Sequence, residues 1–311
     1  MYLAALFVIG SCAFILIIVP RVTHLSGGDR ALSTVVPSAR RVARWAAVVL
    51  IFATLARLLA QGYMLGEGES LIIGPLLAST LWGWGWLVGA AATIVIAYGL
   101  FVARAGNAAW RVTAAGTLGV ALSFALTGHA TSTHTSPALH VIADAIHVMA
   151  AGGWLGTLLV VATIGLRTVF TLPIEKRARA AAELIGAFSN FALVCVATLV
   201  ITGVIAAWSQ LPTLSALWQT PYGLALTRKL VVISLTGFVG IFNWRFVQPR
   251  LNDPATISLL RKSAAAELTI GLAVVILTAV LVGTSPPDSD DASSTALRPA
   301  PVIVGAAPAH P

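Results

Sequence analysis

Eight stretches of predominantly apolar residues follow one another along nearly the whole chain, and they leave it few ways to fold. Each approaches or exceeds the roughly 20 residues an α-helix needs to cross the ~30 Å hydrocarbon core of a bilayer. Inside lipid, only a helix or a closed barrel satisfies every backbone N–H and C=O. The stretches run Tyr2 to Val19, Trp45 to Met64, Trp84 to Val102, Ala109 to Thr127, Ala138 to Leu166, Phe188 to Trp208, Tyr222 to Phe246 and Ala265 to Val282. Composition agrees: 58% hydrophobic residues, 10% charged and a mean hydropathy of +0.92 exclude an ordinary soluble domain. We therefore expect an all-α integral membrane protein with about eight transmembrane helices across residues 1–283. The Pro-, Ala-, Ser- and Asp-rich tail, 284–311, has too little apolar surface to form a core and is expected to be flexible. No small-residue cleavage site is recognisable in "VPRVTHLSGGDR" after the first stretch, so it reads as a retained span.

A net charge of +8 invites a nucleic-acid reading, but the placement of the bases argues for topology instead. Arg21, Arg30, Arg40, Arg41 and Arg44 separate spans 1 and 2, and Arg104 and Arg111 flank the next break of the same parity. Arg167, Lys176, Arg177 and Arg179 follow span 5, and Arg245, Arg250, Arg261 and Lys262 follow span 7. Fifteen of nineteen bases thus share one side, which the positive-inside rule makes cytoplasmic. Both termini and the loops around 65–82, 129–137 and 209–221 are then periplasmic. The apolar segment 66–86 is expected to hold an interfacial helix, with Trp82, Trp84 and Trp86 at the membrane boundary, as for Trp208 and Trp218. Cys12 and Cys195, each alone in an apolar helix, read as packing residues.

Against that apolar background stands "GHATSTHTSPALHVIADAIHVMAAGGWLG", Gly128 to Gly156, which holds four of the six histidines. Ionisable groups at membrane depth are costly and mark candidate functional positions. On a helix, His140, Asp144 and His147 fall within about 60° of one another and form a single stripe, although His140 and His147 stand about 10 Å apart along the axis. Two chemistries are open. His129, His134, His140 and His147 can be successive stations for copper, which neutral imidazole suits, with Asp144 orienting a ring or balanced by Arg57 or Lys229. Alternatively, His140 or His147 helps to hold a haem whose propionates meet Arg57, Arg228 or Lys229, in an electron carrier or metal reductase. The partners for that are few, because only His24 and His310 remain elsewhere. A structural pairing of Asp144 with Lys229 or Arg57 stands beside both. Glu267 falls near the inner end of the last span, at the interface or beside Arg261 and Lys262.

Several segments, in order, resemble the bacterial copper-resistance protein D (CopD) family of inner-membrane proteins. They are "GHA" at 128–130, "LHVIADAIHVMAAGGWLGTLL" from Leu139, "FSNFALVCVATLVITGVIAAW" from Phe188, "TPYGLALTRKLVVISLTGFVGIFNWRFVQPRL" from Thr220 and "ELTIGLAVVILTAVLVGTSPP" from Glu267. The resemblance implies copper handling, commonly uptake toward the cytoplasm with a small periplasmic copper-binding partner of the CopC type. It marks His129, His140, His147, Trp154, Tyr222, Lys229, Asn243 and Glu267. The chain departs from a soft copper(I) pathway in having only three methionines. It has no phosphate-cradling Gly-rich loop, and neither an ATP-driven pump nor any other enzyme is expected. Beyond the lipid bilayer and a CopC-type protein, no partner is implied.

Overall fold

The computed structural model describes residues 1–25, 35–104, 106–128, 137–210 and 215–242, with a few positions beyond (245, 266, 269–274, 276–277). Among these every regular element is helical, and six helices are long and apolar enough to cross a membrane. They are α1 (Tyr2–Val22), α2 (Val35–Leu65), α4 (Leu81–Val102), α5 (Asn107–Leu126), α6 (Ala138–Val169) and α7 (Ile174–Trp208). A short helix α3 (Gly74–Ser79) precedes α4, and α8 (Ala216–Gln219) and α9 (Pro221–Phe242) follow α7. The seventh expected span coincides with α9, which has 22 residues. Half of the eighth, Ala265 to Val282, falls outside the described residues, as does the whole tail from 284.

Hydroxyl residues inside these helices return their protons to the preceding turn, which makes them tolerable in an apolar environment. Ser11 donates to Phe7 O (2.8 Å), Thr54 to Leu50 O (2.8 Å), Thr93 to Gly89 O (2.7 Å) and Thr113 to Ala109 O (2.9 Å). Thr80 caps α4 by accepting from Gly83 N at 2.9 Å. The chain reverses after α2 through Glu67 and Gly68, both at positive φ (54° and 80°), a conformation that glycine adopts at no steric cost.

Two helices run well past their apolar stretches. Helix α2 begins at Val35 rather than Trp45 because its arginines are used at the end of α4. Arg40 donates to Leu100 O (3.0 Å), Gly99 O (3.3 Å) and Ala103 O (2.7 Å), and Arg44 donates to Leu100 O (2.8 Å). Helix α4 closes there in a π-turn, Tyr98–Val102, whose last carbonyls lack partners within the helix, so cations are well placed. Helix α7 begins at Ile174 rather than Phe188, over a run of strong helix formers whose Ala180, Ala181 and Leu184 join the core.

At the centre lies α1, with Val8, Phe14, Ile15 and Ile18 buried against α2, α5 and α6. Its approach to α6 is backbone to backbone. A Cβ on Gly10 would fall inside the Gly156–Thr157 backbone, and one on Gly156 would fall inside the Leu6 carbonyl. This is the small-residue packing that lets membrane helices touch closely. It coincides with a π-turn in α6, Gly152–Gly156. Because successive spans reverse direction, the bundle has two unlike ends. One gathers Tyr2, Arg57, Trp82, Thr127, Asp144 and His147, and the other gathers Arg40, Arg44, Arg167 and Arg177.

The tryptophans divide. Trp84, Trp208 and Trp218 are exposed, as boundary residues should be, but Trp86 is buried and donates its Nε1–H to Thr54 O at 2.9 Å. Trp86 therefore ties α4 to α2 instead of anchoring at an interface. The expected interfacial segment takes the form of α3, packed on the start of α4.

Candidate functional site

The stripe on α6 faces protein. Leu139, Ile142 and Ile146 are exposed, whereas Ala143 and Ala150 are buried and His140, Asp144 and His147 are half-buried. Helix α6 packs against α5 on one side and α7 on the other. The polar face thus points between neighbouring helices and spares the lipid side the cost of a charge.

His147 is held most explicitly. Its Nδ1 lies 2.8 Å from the hydroxyl of Thr202 on α7, and its Cε1 faces Gly203, where an added Cβ would stand at 3.8 Å. Thr202 is buried, so this hydrogen bond joins two membrane helices in a region of low dielectric. About one turn below Asp144 on the same helix, His147 lies deeper than His140 by about 10 Å.

Arg57 supplies the positive charge at this end. Its Nη1 donates to Thr127 Oγ1 (2.9 Å) and its Nη2 to Thr127 O (3.4 Å), so it closes the C-terminus of α5. Its guanidinium also stands over an aromatic face, 5.5 Å from the ring centre of Trp82. The Tyr2 ring packs against Phe124, tilted by 42° with centroids 4.7 Å apart, and its phenol lies within the electrostatic reach of both Arg57 and Asp144. Tyr2, Thr127 and Thr202 have no mark in the sequence that separates them from other hydroxyl residues of the spans. The i, i+4 pair Thr198 and Thr202 is the one pattern that could have drawn attention to α7.

The other expected residues are placed as follows. Trp154 is half-buried and packs against the core. Tyr222 and Lys229 belong to α9, although their side chains lie outside what the structure describes. His129, His134, Asn243 and Glu267 lie outside the described residues. Among the described residues no three His, Cys, Asp or Glu side chains gather where a metal ion could sit. Cys12 and Cys195 are both buried, the sulfur of Cys195 facing Gly153. Haem finds no support in these contacts, since the two described site histidines stand on one helix at different depths.

Two family patterns match the sequence. Residues 1–141 match the family described as "Copper resistance protein D-like, N-terminal domain", and residues 182–281 match "Copper resistance protein D". The chain belongs to the copper resistance protein D family. Neither a curated protein nor a solved structure matches it. Membership and the six apolar helices together make it a multi-pass membrane protein of a copper-resistance family. In this CopD-family chain, His140 lies within the first matched stretch and Thr202 within the second, while Asp144, His147 and Trp154 lie between the two.

Proposed function

We propose that this chain takes copper at the periplasmic face of a bacterial inner membrane and passes it toward the cytoplasm, serving copper homeostasis. The observation that carries the reading is the inward-facing stripe of His140, Asp144 and His147 between α5 and α7, with His147 anchored by Thr202. Copper here is cargo. His129 and His134 receive it at the mouth, His140 and His147 carry it inward, and neutral imidazole binds it in either oxidation state. Asp144, between the two histidines on α6, offsets the cation's charge, and Arg57 and Lys229 balance Asp144 when the ion has left. A small periplasmic copper-binding protein of the CopC type is the partner that would deliver the ion. The basic residues concentrated at the opposite end support the orientation, through the positive-inside rule. Copper–imidazole bonds are exchanged in this scheme but no covalent bond of a substrate changes, so the protein acts as a conduit and not as an enzyme.

Elemental analysis of cells tests it. Cells expressing the wild type should hold more cytoplasmic copper than cells expressing His147→Ala at matched membrane levels. Equal copper in both strains and in an empty-vector control would rule out import through this chain.

A further inference from the structure

We infer that Thr202 is a positioning residue that sets the tautomer of His147, so that the ring keeps its proton on Nδ1 and turns the lone pair of Nε2 to the cargo ion. The inference rests on the copper reading for its purpose, but not for its geometry. Thr202 Oγ1 lies 2.8 Å from Thr198 O and 2.8 Å from His147 Nδ1. An oxygen–oxygen approach of 2.8 Å needs a proton between the atoms, and a carbonyl has none to give. The one hydroxyl proton of Thr202 is therefore spent on its own helix, on Thr198 O with Leu199 O as a longer second acceptor at 3.3 Å. The proton in the second bond must come from the ring, which makes Nδ1 the donor and the hydroxyl the acceptor.

Thr127 shows the same wiring with a donor whose identity is fixed. Its Oγ1 donates to Ser123 O at 2.7 Å while accepting from Arg57 Nη1 at 2.9 Å, and a guanidinium can only donate. In both places a threonine back-bonded to its own helix becomes a directed acceptor for a side chain on another helix. At His147 the consequence is chemical. A neutral imidazole protonated on Nδ1 presents Nε2 as its ligating nitrogen, and the hydrogen bond fixes which way that nitrogen points.

The test uses the full-length protein in detergent, labelled with nitrogen-15 at the histidine rings and free of metal, at a pH above the titration of the ring. The NMR signals of His147 are identified by their loss in His147→Gln. The wild type should show a protonated Nδ1 and an unprotonated Nε2. Thr202→Val, close in shape but without an acceptor, should lose that preference and bind copper about 10–100-fold more weakly in competition with a chromophoric chelator. Thr202→Ser, which restores the hydroxyl, should recover both the tautomer and the affinity. A wild-type ring protonated on Nε2 would overturn the inference, as would a Thr202→Val protein with unchanged tautomer and affinity. A wild type that shows the Nδ1-protonated ring yet takes up no copper would uphold the tautomer and overturn the copper reading instead.

Discussion

A single arginine shows how the charged residues of this bundle are made tolerable. Arg57 sits half-buried near the mouth, with two hydrogen bonds to Thr127 and the face of Trp82 beside it. Hydrogen bonds from a charged donor contribute about 1.5–3 kcal/mol each at most, and the cation–π contact about 0.5–2 kcal/mol. Arg57→Ala should therefore lower stability in detergent by about 2–3 kcal/mol, read from thermal unfolding. Combined with Thr127→Val it should cost less than the sum of the two single changes, because they share one bond. Additive losses would show that the pair does not act as a unit. The stripe of His140, Asp144 and His147 was legible at this scale, because helical spacing is written in the sequence. Thr202 was not, because its role depends on which helix packs opposite, and spacing along α7 does not state that.

At the scale of elements, helix α1 and helix α6 meet where Gly10 and Gly156 remove two side chains. Gly156→Ala should force the two backbones apart and deplete the folded, monodisperse protein recovered from membranes, as followed by size-exclusion chromatography. Gly74→Ala is the control, since an added methyl there meets nothing within 4 Å and should change stability by less than about 0.5 kcal/mol. Similar yields for the two variants would contradict the close packing. The arginines of α2 make a second element-scale prediction. Arg40→Met withdraws the donors from Gly99 O and Ala103 O while Arg44 keeps Leu100 O, and an unpaired buried carbonyl costs about 1–3 kcal/mol. Urea or thermal unfolding should show a loss of that order, and an unchanged midpoint would mean that water replaces the guanidinium. Hydropathy located the apolar cores of α2 and α7 but not their starts. A hydropathy reading stops at charges, whereas these helices continue through them because the charges have partners or face outward.

Across the whole molecule, the two ends of the bundle carry different chemistry. His140, Asp144, His147 and Arg57 lie at one end, and among the described residues Arg40, Arg44, Arg167 and Arg177 lie at the other. Fold class was legible from apolar length alone, since lipid admits few architectures. Which helices are neighbours was not, because α1 lies centrally through glycine contacts that hydropathy does not register. In the proposed scheme copper is held by imidazole at the end that carries His140 and His147. X-ray absorption at the copper edge of the purified, copper-loaded protein tests this most directly. The spectrum should show imidazole nitrogen as the nearest neighbour of copper, with part of its intensity lost in His147→Ala. A shell dominated by sulfur, or one unchanged by that substitution, would contradict it.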